Sequence, residues 1–408
     1  MFGSTKAHRN YYILIISVMS MWITVSTIYM VLPIYFQDHG VSKSGNGILI
    51  AIGTFAGVIS SMLAGKYADT HGRKPVLLTG VGLYTVVFFL FAFFGRGFNS
   101  FFILRFIEGF GFYMIPVAIT TIAADLFPQQ ERGRAMGLYS MSAGVGQLIG
   151  PLFAGRFIDA ADFFTYFIIS GVLVGVSWLV ILFFVDETLE KKERDRNRDR
   201  VGGVAGFISN IRGLGLIVGI FFLAVLVYRV GLTMINPFFS LYLSEELGID
   251  MTRMGYFFAV RALVTLIVSP IAGGLADRFG RKPVFLGGLL MLMGTLLGYY
   301  YASTFEQILI IRVVQSLSNA ILQPSSRAYI ADLLSEENRG FGLGFYTTLL
   351  SEGSTVGAIF GGWITDFYSF KSLFLVGTFS AFIGFLIVLL RVPEPMKKVG
   401  KIAELKVH

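Results

Sequence analysis

Arg105 and Glu108 lie three positions apart in the apolar stretch LRFIEGFGF, so on a helix they share one face. Holding a charge at the centre of a bilayer costs about 2.5–3.5 kcal/mol on insertion scales, which argues for a pair with a role. Two chemistries fit: a static intrahelical bridge, or a carboxyl group that titrates when its arginine is displaced. Arg229, Arg261, Arg312, Arg327 and Glu352 also fall inside long apolar stretches, so positive charge is in excess there. Arg327 is near enough to the end of its stretch to snorkel out. Arg229, Arg261 and Arg312 are deep enough to face a cavity, where they would attract a carboxylate, phosphate or sulfonate; pairing with Glu352 or with carbonyls is the alternative. Histidine occurs only at positions 8, 39, 71 and 408, in predicted termini or loops, and cysteine is absent. Thiolate and disulfide chemistry is thereby excluded, no metal or other cofactor is expected, and proton movement in the interior must use carboxyl groups. The proton-handling candidates are Glu108, Glu352, Arg105 and Asp38, the last at the outer end of the first stretch.

These residues must be carried by membrane-crossing helices. Of the 408 residues 55% are hydrophobic and 14% charged, a balance that requires a bilayer as solvent. Runs of about 20 apolar residues, each able to cross about 30 Å of hydrocarbon, recur along the chain. Twelve are predicted, over 11–36, 45–66, 76–95, 99–124, 134–156, 163–185, 214–243, 252–275, 284–302, 305–331, 341–364 and 372–391. The first follows Lys6, His8 and Arg9 without a small-residue cleavage site and reads as a retained helix. The fold class expected is therefore an all-α integral membrane protein. The net charge of +8 is a topological signal and not a nucleic-acid footprint: only Lys43, Arg96, Arg156, Arg253 and Lys371 fall in the loops opposite the termini. Both termini are accordingly expected in the cytoplasm.

A hydrophilic stretch from Asp186 to Arg212, containing KKERDRNRDR, divides the chain. We expect an N-terminal six-helix bundle (1–185), a cytoplasmic linker (186–213), and a C-terminal six-helix bundle with its tail (214–408). Sliding one half over the other by 207 to 208 positions aligns GKYADTHGRKP (65–75) with GGLADRFGRKP (273–283), Arg105 with Arg312, and Asp125 with Asp332. Gly146, Gly150 and Gly155 align likewise with Gly353, Gly357 and Gly362.

In the first GRKP turn, Gly72 can end one helix, Arg73 and Lys74 can anchor at the interface, and Pro75 suits a new helix. Asp69 can bind a helix N-terminus or a basic side chain in one conformation and release it in another, as can Asp277 beside Gly280, Arg281 and Lys282. Gly146, Gly150 and Gly155 permit close packing about Pro151, which loosens the backbone. Pro33 and Pro237 occupy similar places in the first helix of each half and are expected to kink them.

The G-x-x-x-D-x-x-G-R-K pattern carried by Gly65, Asp69, Gly72, Arg73 and Lys74 resembles motif A of the major facilitator superfamily, and the resemblance covers essentially the whole chain. It implies two pseudo-symmetric six-helix bundles and a cytoplasmic gate that helps hold one face closed; Thr70 stands where a basic residue is usual, whereas the second half has Arg278. RFIEGFG resembles motif B, whose arginine is assigned a role in proton transfer, with Glu108 where glutamine is common. Gly150-Pro151 and Gly155 resemble motif C, associated with exporters that work by proton antiport, although Ala154 replaces a glycine and Ala358 replaces the proline in the repeat. The chain is thus most similar to the twelve-helix drug/proton antiporters, but lacks the acid that many of them carry deeper in the first helix.

These readings make the chain a secondary active transporter working by alternating access, with proton-coupled export of amphipathic organic compounds or drugs. Arg229, Arg261 and Arg312 are its substrate-binding candidates. An organic-anion carrier working by symport, exchange or efflux is the alternative, and a non-transporting receptor with the same fold is a third reading. An enzyme is not expected, since the two buried acids lie on separate helices and no histidine joins them; a gradient is expected to supply the energy, since neither GRKP turn has Walker A spacing. The partners expected are a small organic substrate, protons and the bilayer of an inner membrane, with no nucleic acid, and the chain is expected to be a monomer.

Overall fold

The computed structural model describes residues 5–189, 215–334 and 336–394; the side chains of some helical residues, Asp277 and Glu352 among them, lie outside that description. The hydrophilic stretch expected to link the halves falls largely outside it as well. In the first half the helices are α1 (Thr5–Val25), α2 (Ile28–Asp38), α3 (Lys43–His71), α4 (Arg73–Phe94), α5 (Gly97–Leu126), α6 (Gln129–Ala160) and α7 (Phe163–Phe184). In the second they are α8 (Leu216–Ile235), α9 (Phe239–Glu245), α10 (Met251–Phe279), α11 (Arg281–Tyr301), α12 (Phe305–Leu333), α13 (Glu336–Phe367) and α14 (Phe370–Arg391).

Two of these rods are broken. The α1–α2 rod bends by 41°. Just past that break Pro33 has no N–H to give the carbonyl of Tyr29 four residues earlier, and the Ser240 hydroxyl from the other half donates to that carbonyl at 3.1 Å. A 3₁₀ turn at Asn236–Phe238, with Pro237 in it, separates α8 from α9. Each half therefore has six rods among the described residues, the first in each half interrupted: at Ser26 and Thr27, ahead of Pro33 inside α2, and at the 3₁₀ turn that holds Pro237. Nine are apolar and long enough to span a membrane by composition, or ten with the α1–α2 pair counted. The rods α6 and α13 are not among them. Both are rich in glycine and polar residues and pack against helices of their own and of the other half, so protein covers much of what lipid would otherwise face.

The pseudo-symmetry extends to packing. Tyr35 donates its hydroxyl to the Phe91 carbonyl and stacks edge-on against Phe167, at a centroid distance of 4.8 Å. Tyr242, 207 positions later, donates to the Tyr299 carbonyl and sits 5.1 Å from Phe374. Each node clamps three rods of its half at the end opposite the GRKP turns. The seam between halves is formed by α3 against α13 and α6 against α10. Glycine is needed at both crossings: a Cβ on Gly362 would meet the Lys43 carbonyl at 2.5 Å, and one on Gly155 would strike the Met251 carbonyl.

Candidate functional site

Both GRKP turns are built the same way. Gly72 (φ 121°) and Gly280 (φ 97°) take a backbone that side chains rarely adopt, each ending one helix and starting the next. The first-turn amides of Arg73 and Lys74 donate to the Glu187 carboxylate at 2.9 and 3.1 Å; those of Arg281 and Lys282 donate to Glu394 at 2.7 and 2.8 Å. Arg73 Nε donates to Asp125 at 2.9 Å and Arg281 Nε to Asp332 at 3.0 Å. The lysines cap the ends of α7 and α14 through the carbonyls of Leu182 and Leu389. Asp69 pairs at 3.6 Å with Arg73 of its own half. The Gly65 Cα faces open space, and the Asp277 side chain lies outside the described residues. Glu187 and Glu394 were not anticipated from sequence, although they too stand 207 positions apart.

Arg105 and Glu108 are each 4% exposed and joined by a hydrogen bond from Nη1 to the carboxylate. Arg105 Nε also donates to the Leu49 carbonyl at 3.0 Å. This placement depends on Gly53, where a Cβ would strike the guanidinium, and on Gly109, whose Cα packs against the Gly53 carbonyl. In the second half Arg312 donates to Gln315 at 2.7 Å, the same spacing with a neutral acceptor.

Between the halves lies a cavity of about 230 Å³, lined by residues of α1, α2, α3, α6, α8, α9, α10, α12 and α13 and of the 3₁₀ turn. Arg229, Arg261 and Arg312 all reach it, from three rods of the second half, together with Trp22, Tyr29, Gln147 and Asn236. Among the described residues no carboxylate lines it, and none of the three arginines is in an ion pair. Glu352 is placed on α13 two residues before the cavity-lining Ser354, but its side chain is outside the described residues. Asp38 does not join this set: it is exposed at the end of α2, away from the cavity lining.

The end of the seam opposite the GRKP turns is sealed by polar contacts between the halves. Asp159, in the last turn of α6, accepts from the Met251 and Thr252 amides at 3.2 and 2.7 Å and from the Thr252 hydroxyl at 2.6 Å. Asp366, in the last turn of α13, accepts from the Lys43 and Ser44 amides at 3.1 and 2.7 Å. These amides open α10 and α3, so each carboxylate caps a helix N-terminus of the other half, where orphan donors and the helix dipole favour an anion. Glu245 adds a third link, accepting from Gln37 at 2.5 Å and pairing with Lys43 at 2.8 Å. The cavity lies deeper: Ile50 is seven residues along α3 from Lys43, about 10 Å of helix. The signal for the clamps was present in sequence as Gly155-x-x-x-Asp159 and Gly362-x-x-x-Asp366.

The family profile described as Major Facilitator Superfamily matches residues 14–228 and 221–406. Multidrug resistance protein 2 of Bacillus subtilis is 24% identical over 368 residues, 89% of this chain and 90% of that protein. Multidrug resistance protein MdtG of Escherichia coli is 26% identical over 360 residues, 85% of each. Among solved structures, a bacterial homolog of the human lysosomal transporter Spinster, in an inward-facing and occupied conformation, superposes with a TM-score of 0.74. It is 13% identical, with 96% of both chains covered.

Proposed function

The chain belongs to the Major Facilitator Superfamily, a multi-pass membrane transporter fold, and on that premise we propose that it exports small amphipathic organic compounds by alternating access, driven by a proton gradient. The observation that carries this reading is the cavity between two repeated halves, shut at one end by contacts that each join one half to the other. Such contacts can be broken by rocking the halves without unfolding either one. The GRKP end is the cytoplasmic one in this reading, following the basic bias of its loops, and the clamped end is the outer gate. Substrate then enters from the cytoplasm, the Asp159, Asp366 and Glu245 contacts part, and substrate leaves outward. In the opposite state Asp69, bound here within its own half among the described residues, and the open flank of Gly65 become available to the other half.

Glu108 is the proton carrier we assign, since it is a buried carboxyl whose partner Arg105 can be drawn away by movement of α3 against α5. The glutamine at position 315 leaves the second half without an equivalent. The names of the multidrug resistance relatives and the motif C resemblance support export.

The test is a pH-sensitive dye inside proteoliposomes. Added substrate should drive proton movement in the wild type, and Glu108→Gln should bind substrate yet move no protons. Proton movement retained in Glu108→Gln would overturn the assignment of Glu108; substrate flux with no proton signal in the wild type would overturn the coupling.

A further inference from the structure

We propose that the cavity selects an organic anion: a compact amphiphile with a carboxylate, phosphate or phosphonate head and an aromatic or apolar body. This rests on the transporter reading above and names its substrate class. Three guanidinium groups converge on about 230 Å³ from α8, α10 and α12, with no carboxylate among the described lining residues to balance them. Part of their hydrogen-bonding capacity is also unspent. Arg312 gives one bond to neutral Gln315, while its Nε and that of Arg229 are buried without an acceptor. Leaving cationic donors unsatisfied in a low-dielectric site is costly, and an anionic head that accepts from two of them removes that cost.

Arg312 is also held in place. The Arg312 guanidinium lies 4.2 Å from the ring centre of Phe257, with Phe239 and Phe258 within 5.8 Å, so aromatic faces support it while its polar edge stays available. The first-half wall is mostly apolar and aromatic, with Trp22, Val25, Tyr29 and Ile50 beside the polar Ser26 and Gln147. A bound compound would place its head on the second half and its body on the first, bridging the seam that must rock. A cationic drug would meet three like charges and no counter-charge from the described lining, and repulsion in such a site excludes it.

The experiment compares phenylphosphonate, benzoate and benzyltrimethylammonium, which share an aromatic body and differ in head charge, for binding to the purified full-length protein by calorimetry. The same labelled compounds are then followed for flux in proteoliposomes. The two anions should bind and the cation should not; Arg261→Gln and Arg312→Gln should each weaken anion binding at least tenfold, while Arg261→Lys, which keeps the charge, loses less. Cation binding equal to or tighter than anion binding, binding of none of the three, or anion binding indifferent to the glutamine variants would overturn the substrate class. Anion binding without flux would leave the class standing and overturn the transport reading, so the two failures are separable.

Discussion

Arg312 donates to Gln315 at the same three-residue spacing at which Arg105 donates to Glu108, and the two pairs occupy equivalent places in the repeated halves. One pair contains its own counter-charge and lies outside the cavity lining; the other does not, and its arginine lines the cavity. A single atom type in one side chain thus separates a proton-handling assignment from an anion-binding one.

Gln315→Glu should convert the second pair into a copy of the first. The new carboxylate would stand where the amide oxygen now accepts at 2.7 Å and would neutralise Arg312. Benzoate affinity should fall about tenfold or more, equivalent to about 1.4 kcal/mol, as read by calorimetry. Glu108→Gln, off the cavity wall, should change benzoate affinity by less than about twofold and instead flatten the dependence of transport on pH.

Asp159→Ala and Asp366→Ala together should favour opening of the clamped end. Each removes a carboxylate cap from a helix N-terminus; an exposed cap of this kind contributes about 0.5–1 kcal/mol, so the pair should shift the equilibrium about five- to thirtyfold. The chain has no cysteine, so spin labels at His39→Cys and Glu246→Cys report the gap directly. Electron spin resonance should show a longer-distance population growing in the double variant. An unchanged distribution would mean the clamps do not set the resting state.

Gly109→Ala should destabilise the protein by about 1–3 kcal/mol, because its methyl group would be driven into the Gly53 backbone where α3 and α5 cross. Gly65→Ala, whose Cβ enters open space in the interior of α3, should stabilise the protein by about 0.5–1 kcal/mol in thermal unfolding. The same substitution should slow transport if Gly65 approaches the other half when the GRKP end closes, which a flux assay reads.

Glu187→Ala should fray the start of α4 by releasing the Arg73 and Lys74 amides, a loss of about 1 kcal/mol seen in thermal unfolding. Glu187→Gln, which keeps one acceptor oxygen and sets an amide NH2 against the second N–H, should recover only part of it.

Much of the fold was legible because lipid imposes a length on each span and duplication repeats most landmarks. The expected stretch 45–66 appears as Lys43–His71, and 372–391 as Phe370–Arg391. The rods run past the apolar stretches because helices continue into the polar interface, where their last turns carry the charges that fix the turns. What sequence reasoning missed has a common cause. Glu187 reaches Arg73 across more than a hundred residues, and Asp159 meets Thr252 only where α6 of one half packs against α10 of the other. Such partners depend on tertiary packing or on the conformational state, neither of which leaves a local pattern. Both pairs were nonetheless recoverable from the repeat, since Glu394 and Asp366 stand at the same offset. Gln315 leaves no repeated landmark, because its meaning lies in its difference from Glu108, 207 positions earlier.

The most direct test of alternating access is a reversible lock on the outer gate. Lys43 and Glu245 pair across the halves at 2.8 Å through long side chains, and the chain supplies no competing cysteine, so Lys43→Cys with Glu245→Cys can be bridged in proteoliposomes by a reducible bifunctional thiol reagent that spans the shortened side chains. Flux of benzoate, or of benzyltrimethylammonium should the cation prove to be the substrate, should fall to the level of empty liposomes on cross-linking and return on adding a reductant. Flux that continues undiminished through the locked protein would contradict the account.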